Sequence, residues 1–278
     1  MTTAPVSPSL TVSEWREAAF RVEGETIFAV GDVHGCVGQL SSLLEHICKL
    51  SQALHATTRL IFLGDLVCRG PSSVGALALW SARTLDAAFG KVHRLLGNHE
   101  QLLMLSIGGS EVSKSARSKW MSIVGDTFVS EIGRSTGQHD APLSRALVAE
   151  AVGETTMDRL ENLERHVRVG NVIFVHGGID PALDAKTALA MPWTVFGGNH
   201  WAWIQEPFLA WRGGFGGLMV VHGHTPPAKH RLLSEYPDPH IVQHDRLSLD
   251  GGSALTGIVA AAQIEDGRYR LFRAQAER

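Results

Sequence analysis

Six side chains of the types that bind divalent metal ions sit in short glycine-marked motifs. Asp32 and His34 lie in GDVHG, Asp65 in GDLVCRG, Asn98 in GNHE, His176 in HGG and His224 in HGHT. Asp32 and His34 are two apart, so at an extended strand tip their side chains point the same way. Asp65 carries two oxygens and could bridge two ions. Asn98 offers a neutral carbonyl oxygen, and His176 and His224 offer imidazole nitrogens. Oxygen and nitrogen donors without thiolate favour Mn, Fe or Zn over calcium or a cysteine-rich zinc site. Six side chains sharing one carboxylate suffice for two ions. Ions roughly 3.5–4 Å apart clamp the attacking and leaving oxygens of an in-line phosphoryl displacement. A water bridging two divalent cations loses a proton readily and becomes the nucleophile.

These residues need strands to hold them, and each motif follows an apolar run that reads as one: TIFAV, RLIFL, KVHRLL, NVIFV and GLMVV. The ligand candidates therefore gather at C-terminal strand tips, where open α/β sheets collect ligands. A lone Asp-Gly or His-Gly is more often a turn. GDxHG, GDxVxRG and GNHE at intervals of about thirty residues form a joint pattern that turns rarely produce. Leu40, Leu43, Leu44 and Ile47 recur at helical spacing after the first motif. Pro71 suits the first turn of a second helix. This βαβαβ order predicts parallel strands with right-handed crossovers. Residues 106–165 read as a helical insertion or cap, with helical segments at 144–150 and 156–164. The tail, RLSLDGG, LTGIVAAAQIE, DGR and YRLFRAQ, reads as antiparallel strands, with a hairpin at Asp266-Gly267. The expectation is an α/β chain whose two sheets form a β-sandwich flanked by helices. It comprises a polar N-terminal arm over 1–20 and one domain over 21–278.

Bulk properties exclude other classes. The 278 residues are 44% apolar and 19% charged, as in ordinary globular proteins. A formal charge of −3 gives no electrostatic reason to bind nucleic acid or an anionic membrane. No apolar run approaches bilayer length, and the N-terminus lacks the basic start and apolar core of a signal peptide. Three cysteines without CxxC spacing suit a reducing compartment, so the expected location is cytoplasmic.

The ordered string GDxHG, GDxVxRG, GNHE, HG and GHT resembles the calcineurin-like metallophosphoesterase superfamily, in its phosphoprotein-phosphatase branch (bacterial serine/threonine phosphatase-like). The likeness runs from about Thr26 to the C-terminal strands. It implies a helix-flanked β-sandwich and two divalent ions, manganese first, with iron or zinc as alternatives. It also implies that Asp32 and His34 hold one metal, that Asp65 lies between the two, and that Asn98, His176 and His224 hold the other. His99 would protonate the leaving oxygen, and Arg69 and Asn98 would grip the phosphate. The implied activity is hydrolysis of phosphomonoesters, from a phosphorylated protein or a small aryl phosphate, by a metal-bridging hydroxide. The alternative is a symmetrical diadenosine tetraphosphate hydrolase, since those relatives begin GDLVxRGP and also lack the aspartate of VDRG. Their GNHD and GHW forms differ from GNHE and GHTP here. A metal-binding scaffold without turnover is a third reading, opposed by the complete ligand set.

Two positions depart from the pattern. Cys68 stands where the branch has an aspartate that hydrogen-bonds the histidine acid. A thiol cannot orient and charge the imidazole as a carboxylate does, so His99 is expected to be a weaker acid. Phenol or nucleotide leaving groups would then suffer least. Gln205 replaces the arginine of a W-x-R-E string, and Arg212, in a glycine-rich loop, is the candidate to compensate as a phosphate ligand. His222 reads as a hydrogen-bonded core histidine, because Pro226 occupies the place where other branches carry a second metal-binding histidine. The cluster Trp193, Phe196, Trp201, Trp203, Phe208 and Trp211 reads mostly as core, with part able to line a groove for a phosphotyrosine ring or nucleobase.

Overall fold

The five apolar runs alternate side chains between two buried faces, and this alternation builds a layered molecule. The computed structural model describes residues 8–54, 56–109 and 111–276. The first half runs β1 (Ser9–Val12), β2 (Arg16–Glu17), β3 (Thr26–Val30), α1 (Val37–Ala53), β4 (Thr58–Phe62), α2 (Ser73–Trp80), α3 (Arg83–Ala88), β5 (Lys91–Arg94) and α4 (Asn98–Ser106). Then come α5 (Glu111–Ser122), α6 (Gly125–Thr136), α7 (Arg145–Val152), α8 (Glu154–Glu161), β6 (His166–Val169) and β7 (Val172–Val175). The remainder is α9 (Ala185–Leu189), α10 (Glu206–Leu209), β8 (Met219–His222), α11 (Pro227–Ser234), β9 (Arg246–Ser248), α12 (Ser253–Thr256), β10 (Ile258–Glu265) and β11 (Arg268–Gln275).

One sheet has the order β1-β11-β10-β3-β4-β5, with β2 also on β11; the other has the order β6-β7-β8-β9. Strands β3, β4 and β5 are parallel, as are β7, β8 and β9. Ile27, Ala29 and Ile61 of the first sheet pack against Phe174, Val221 and Leu247 of the second. The intervening Phe28, Val30, Leu60 and Phe62 face Leu40, Leu43 and Ile47 of α1 and Leu77 and Trp80 of α2. Ile173, Val175 and Val220 on the outer face of the second sheet meet Leu189, Trp201, Ile204 and Phe208. The molecule is therefore the helix-flanked double sheet that the sequence pattern predicts.

Three local readings change. Ser72, whose hydroxyl accepts from the Gly75 N–H at 3.1 Å, caps α2, so Pro71 precedes the helix rather than opening it. The RLS of RLSLDGG pairs parallel with β8 in the second sheet. Only β10 and β11 make the antiparallel hairpin, closed at Glu265↔Arg268 around Asp266-Gly267. Residues 9–12, read as part of a polar arm, pair with β11 from Ser9↔Gln275 to Val12↔Phe272. The first seven residues of that arm lie outside the described residues. Helices α5 to α8 occupy most of the stretch read as an insertion. Among the described residues no helix is long and apolar enough to cross a membrane.

Candidate metal centre

Strand tips from both sheets converge on one cluster. Asp32 and His34 follow β3, Asp65 follows β4, and Asn98 opens α4 after β5. His176 follows β7 and His224 follows β8. The approach is close enough to need glycine. A Cβ on Gly64 (φ +104°) would stand 2.4 Å from the Gly97 nitrogen, and one on Gly97 would stand 2.3 Å from the Asp65 nitrogen. His34, Asp65, Cys68, Arg69 and His224 all take positive φ, between 45° and 72°. Strained backbone of this kind concentrates at functional sites.

Three histidines share one arrangement. The ring of His34 uses Nδ1 on the Val67 carbonyl at 2.9 Å, and His176 uses Nδ1 on the Leu63 carbonyl at 2.9 Å. His224 uses Nε2 on the Trp203 carbonyl at 3.0 Å. Each carbonyl holds the N–H of one ring nitrogen and turns the other nitrogen inward, as outer partners of metal-binding histidines do. Inside, Asp65 Oδ2 lies 3.6 Å from His34 Nε2 and 3.3 Å from His176 Nε2. Asn98 Oδ1 lies 3.1 Å from His176 Nε2 and 2.8 Å from His224 Nδ1. Donor atoms crowd within 4.8 Å in two groups, His34–Asp65–His99 and Asp65–His176–His224, and Asp65 belongs to both. Asp32 is in neither group. Fully buried, it accepts the His224 N–H on both oxygens at 3.1 Å.

The charges in the site fit divalent cations. Burial, reinforced by the charge of Asp250, lifts Asp32 well above the usual carboxylate range. Burial raises Asp250 to about 6. Burial together with the Asp65 charge raises Glu100 to about 7. Burial works against a charge on His176, yet the adjacent Asp65 carboxylate prevails and lifts it to about 10. A buried site this short of positive charge borrows a proton on an imidazole, and divalent ions among the inward donors would supply that charge.

His99 is pushed down to about 3, mainly by burial. Its Nε2 lies 3.4 Å from Arg69 Nη2. Arginine only donates, so the neutral ring carries its proton on Nδ1, which is buried without a partner among the described residues. Cys68 is fully buried, and burial pushes its thiol up from the ordinary range.

Two carboxylates that sequence reasoning passed over hold the loops. Glu100 accepts the backbone N–H groups of Asp65, Leu66 and Val67 at 2.7, 2.8 and 3.1 Å. It stands inside GNHE, so the motif itself was a signal. Glu131 of α6 accepts from Ser72 Oγ, Ser73 N and Val74 N at 3.1, 2.7 and 3.0 Å. No local pattern marks it.

A cleft of about 420 Å³ opens over the cluster. His34, Asp65, Asn98, His99, His224 and Asp250 line it together with Arg69, Lys119, Lys229, Gln205, Trp203, Ile123 and Leu255. Arg212 is not brought to it. Its guanidinium bonds the Ser234 carbonyl and Glu235 Oε2, both at 2.8 Å, and lies over Tyr236. His222 is a core histidine, 6.1 Å from the stacked ring of His230, and belongs to neither donor group. Of the aromatic cluster, Trp203 alone lines the cleft, while Trp201 and Phe208 are buried in the core.

A family model described as calcineurin-like phosphoesterase matches residues 25–251. A protein named symmetrical bis(5'-nucleosyl)-tetraphosphatase from Methylococcus capsulatus is 34% identical over 165 residues, 59% of this chain and 47% of that one. The chain thus matches about half of that relative's length. Serine/threonine-protein phosphatase 1 of Salmonella typhimurium is 26% identical over 241 residues, 86% of this chain and 92% of that one. The solved structure of a protein serine/threonine phosphatase from Saccharomyces cerevisiae aligns with a TM-score of 0.53 at 14% identity. That alignment covers 92% of this chain and 81% of the other, a likeness of fold.

Proposed function

The chain belongs to the calcineurin-like phosphoesterase family, and on that premise we propose that it is a two-metal hydrolase of dinucleoside polyphosphates. The observation that carries the substrate is the cleft: Arg69, Lys119 and Lys229 line it with the donor cluster, as does an apolar rim of Leu255, Ile123 and Trp203. A single phosphate needs fewer cations, whereas a phosphate chain between nucleosides uses them all and offers rings to the rim. The tetraphosphatase likeness supports this reading. It reverses the order of the sequence reading, which put phosphomonoesters first.

Asp32, His34, Asp65, Asn98, His176 and His224 would hold the ions, with Asp65 shared. Bound divalent ions supply Lewis-acid stabilisation of phosphoryl charge and lower the pKa of a coordinated water. Arg69 binds an oxygen of the scissile phosphate by charge-assisted hydrogen bonds. His99, whose Nε2 lies 3.4 Å from Arg69 Nη2, would face the leaving oxygen. Its low proton affinity suits a nucleoside diphosphate, which leaves without full protonation, better than a serine alkoxide.

The second reading, a protein phosphatase, has its own support in the Salmonella relative, which matches nearly end to end. A side-by-side assay with manganese decides between them, using diadenosine tetraphosphate, phosphotyrosine peptide and phosphoserine peptide. The expected result is cleavage of the tetraphosphate into two nucleoside diphosphates, at a kcat/KM at least tenfold above either peptide. Preference for a peptide would sink the proposal. Asp65→Asn should abolish all three activities, and an unchanged rate would place the chemistry elsewhere.

A further inference from the structure

Gln205 brings no charge to the cleft, and a cation stands beside it. Gln205 Oε1 accepts from Lys229 Nζ at 2.5 Å, and Gln205 Nε2 lies 3.3 Å from His224 Nε2. The ammonium therefore stands one side chain away from the donor cluster. Lys229 lies in the first turn of α11, which begins at Pro227, three residues after His224. The backbone that positions a ligand candidate thus also positions the lysine. Lys119 faces the same cleft from α5, 6.0 Å from the ring of Trp203. Lys49 and Lys114 pair with glutamates on their own helices. Neither cleft lysine has an acidic partner among the described residues, so their charge is left for a ligand.

We propose that Lys229, oriented by Gln205, is the second phosphate-holding cation of this cleft and takes the phosphate next to the one at Arg69. The pair Gln205–Lys229 then does with an amide and an ammonium what one arginine would do alone. The consequence is selectivity. An ammonium at the end of a long stem, held by a neutral amide, reaches beyond the first phosphate, so the cleft favours a chain of phosphates over a monoester. This rests on reading the Arg69 cleft as phosphate-binding.

The test measures binding without turnover. The manganese-loaded protein is titrated calorimetrically with inorganic phosphate and with inorganic tripolyphosphate. In Lys229→Met the ratio of tripolyphosphate to phosphate affinity should fall about tenfold or more, the worth of one charge-assisted hydrogen bond. Lys229→Arg should retain most of the ratio, and Gln205→Arg in the Lys229→Met background should restore part of it. Lys229 is an exposed side chain, and a thermal midpoint close to that of the parent identifies folded variants. Equal loss for both ligands, or loss for neither, overturns the proposal. If the parent fails to cleave diadenosine tetraphosphate, the substrate reading falls alone, because the affinity ratio is read without catalysis.

Discussion

Asp65 is held from two sides by backbone chemistry. Its Oδ1 accepts the His99 N–H at 3.0 Å, at the positive start of α4, and its own N–H donates to Glu100. Glu100 acts through the loop: its two oxygens gather three N–H groups of residues 65–67. Glu100→Gln keeps the shape but leaves one amide oxygen to satisfy three donors. We expect manganese affinity to fall about 10–100-fold, the usual effect of losing an outer partner. An unchanged titration would show that the loop holds itself. Cys68 gives the second prediction at this scale. His99 Nδ1 is buried without a partner among the described residues, and the resemblance to the phosphatase branch implies that a carboxylate at position 68 would support the protonated ring. Cys68→Asp should therefore raise the rate on a phosphoserine peptide more than on p-nitrophenyl phosphate, whose phenolate leaves readily. Equal or opposite changes would discard the link between the thiol and the weak acid.

At the scale of elements, the helical stretch between β5 and β6 grips the site from outside. Thr127 Oγ1 of α6 accepts the Arg69 N–H at 3.0 Å while donating to the Val124 carbonyl at 2.8 Å. One turn on, Glu131 caps α2 through Ser72, Ser73 and Val74. The loop carrying Cys68 and Arg69, at φ +72° and +69°, is thus pinned by a neighbouring helix. Glu131→Ala should cost about 1–2 kcal/mol, the loss of a charged cap, read as a lower urea midpoint at unchanged m-value. With the Arg69 loop loosened, KM should rise more than kcat falls, and an effect on kcat alone would contradict that role. The strands were legible because apolar runs ending in Gly-Asp or Gly-Asn give both the element and its tip. The α6 clasp was not legible. Glu131 meets residues almost sixty positions away, and nothing in helical spacing separates it from a solvated glutamate. Arg212, the cation the sequence reading chose, bonds Ser234 and Glu235 instead, while Lys229, which that reading left unassigned, lines the cleft, since loop sequence does not say which cation a helix start will aim there.

Across the whole molecule, histidines outside the site set a pH limit that composition alone could not place. Fourteen histidines are present, and several that had no motif are buried in the layers around the second sheet. His200 accepts the Ala202 N–H on Nδ1 at 3.2 Å and donates from Nε2 to the Pro192 carbonyl at 3.2 Å, which describes a neutral ring. Burial lowers it to about 4, and burial with the nearby Arg246 lowers His230 to about 4. Above the unfolded value near 6.5 both states are neutral and these rings leave stability unchanged. As pH falls below about 6.5, the unfolded chain takes the protons first, so folding weakens until the folded rings titrate near 4. The cost reaches roughly 3 kcal/mol for each ring at that end. Asp250 and Glu100, with raised values of about 6 and 7, push the other way in the metal-free protein, because the folded state binds their protons first. Total stability therefore mixes opposing slopes, and the histidine part is isolated by difference. In chelator, urea midpoints of the parent and of His200→Gln are compared from pH 7.5 to 4.5. The glutamine amide can accept and donate as the neutral ring does, but it cannot take a proton. The parent should lose stability relative to the variant below pH 6.5, by about 2 kcal/mol at pH 4.5; a difference that stays constant over the whole range would mean that His200 is already open to protons in the folded state.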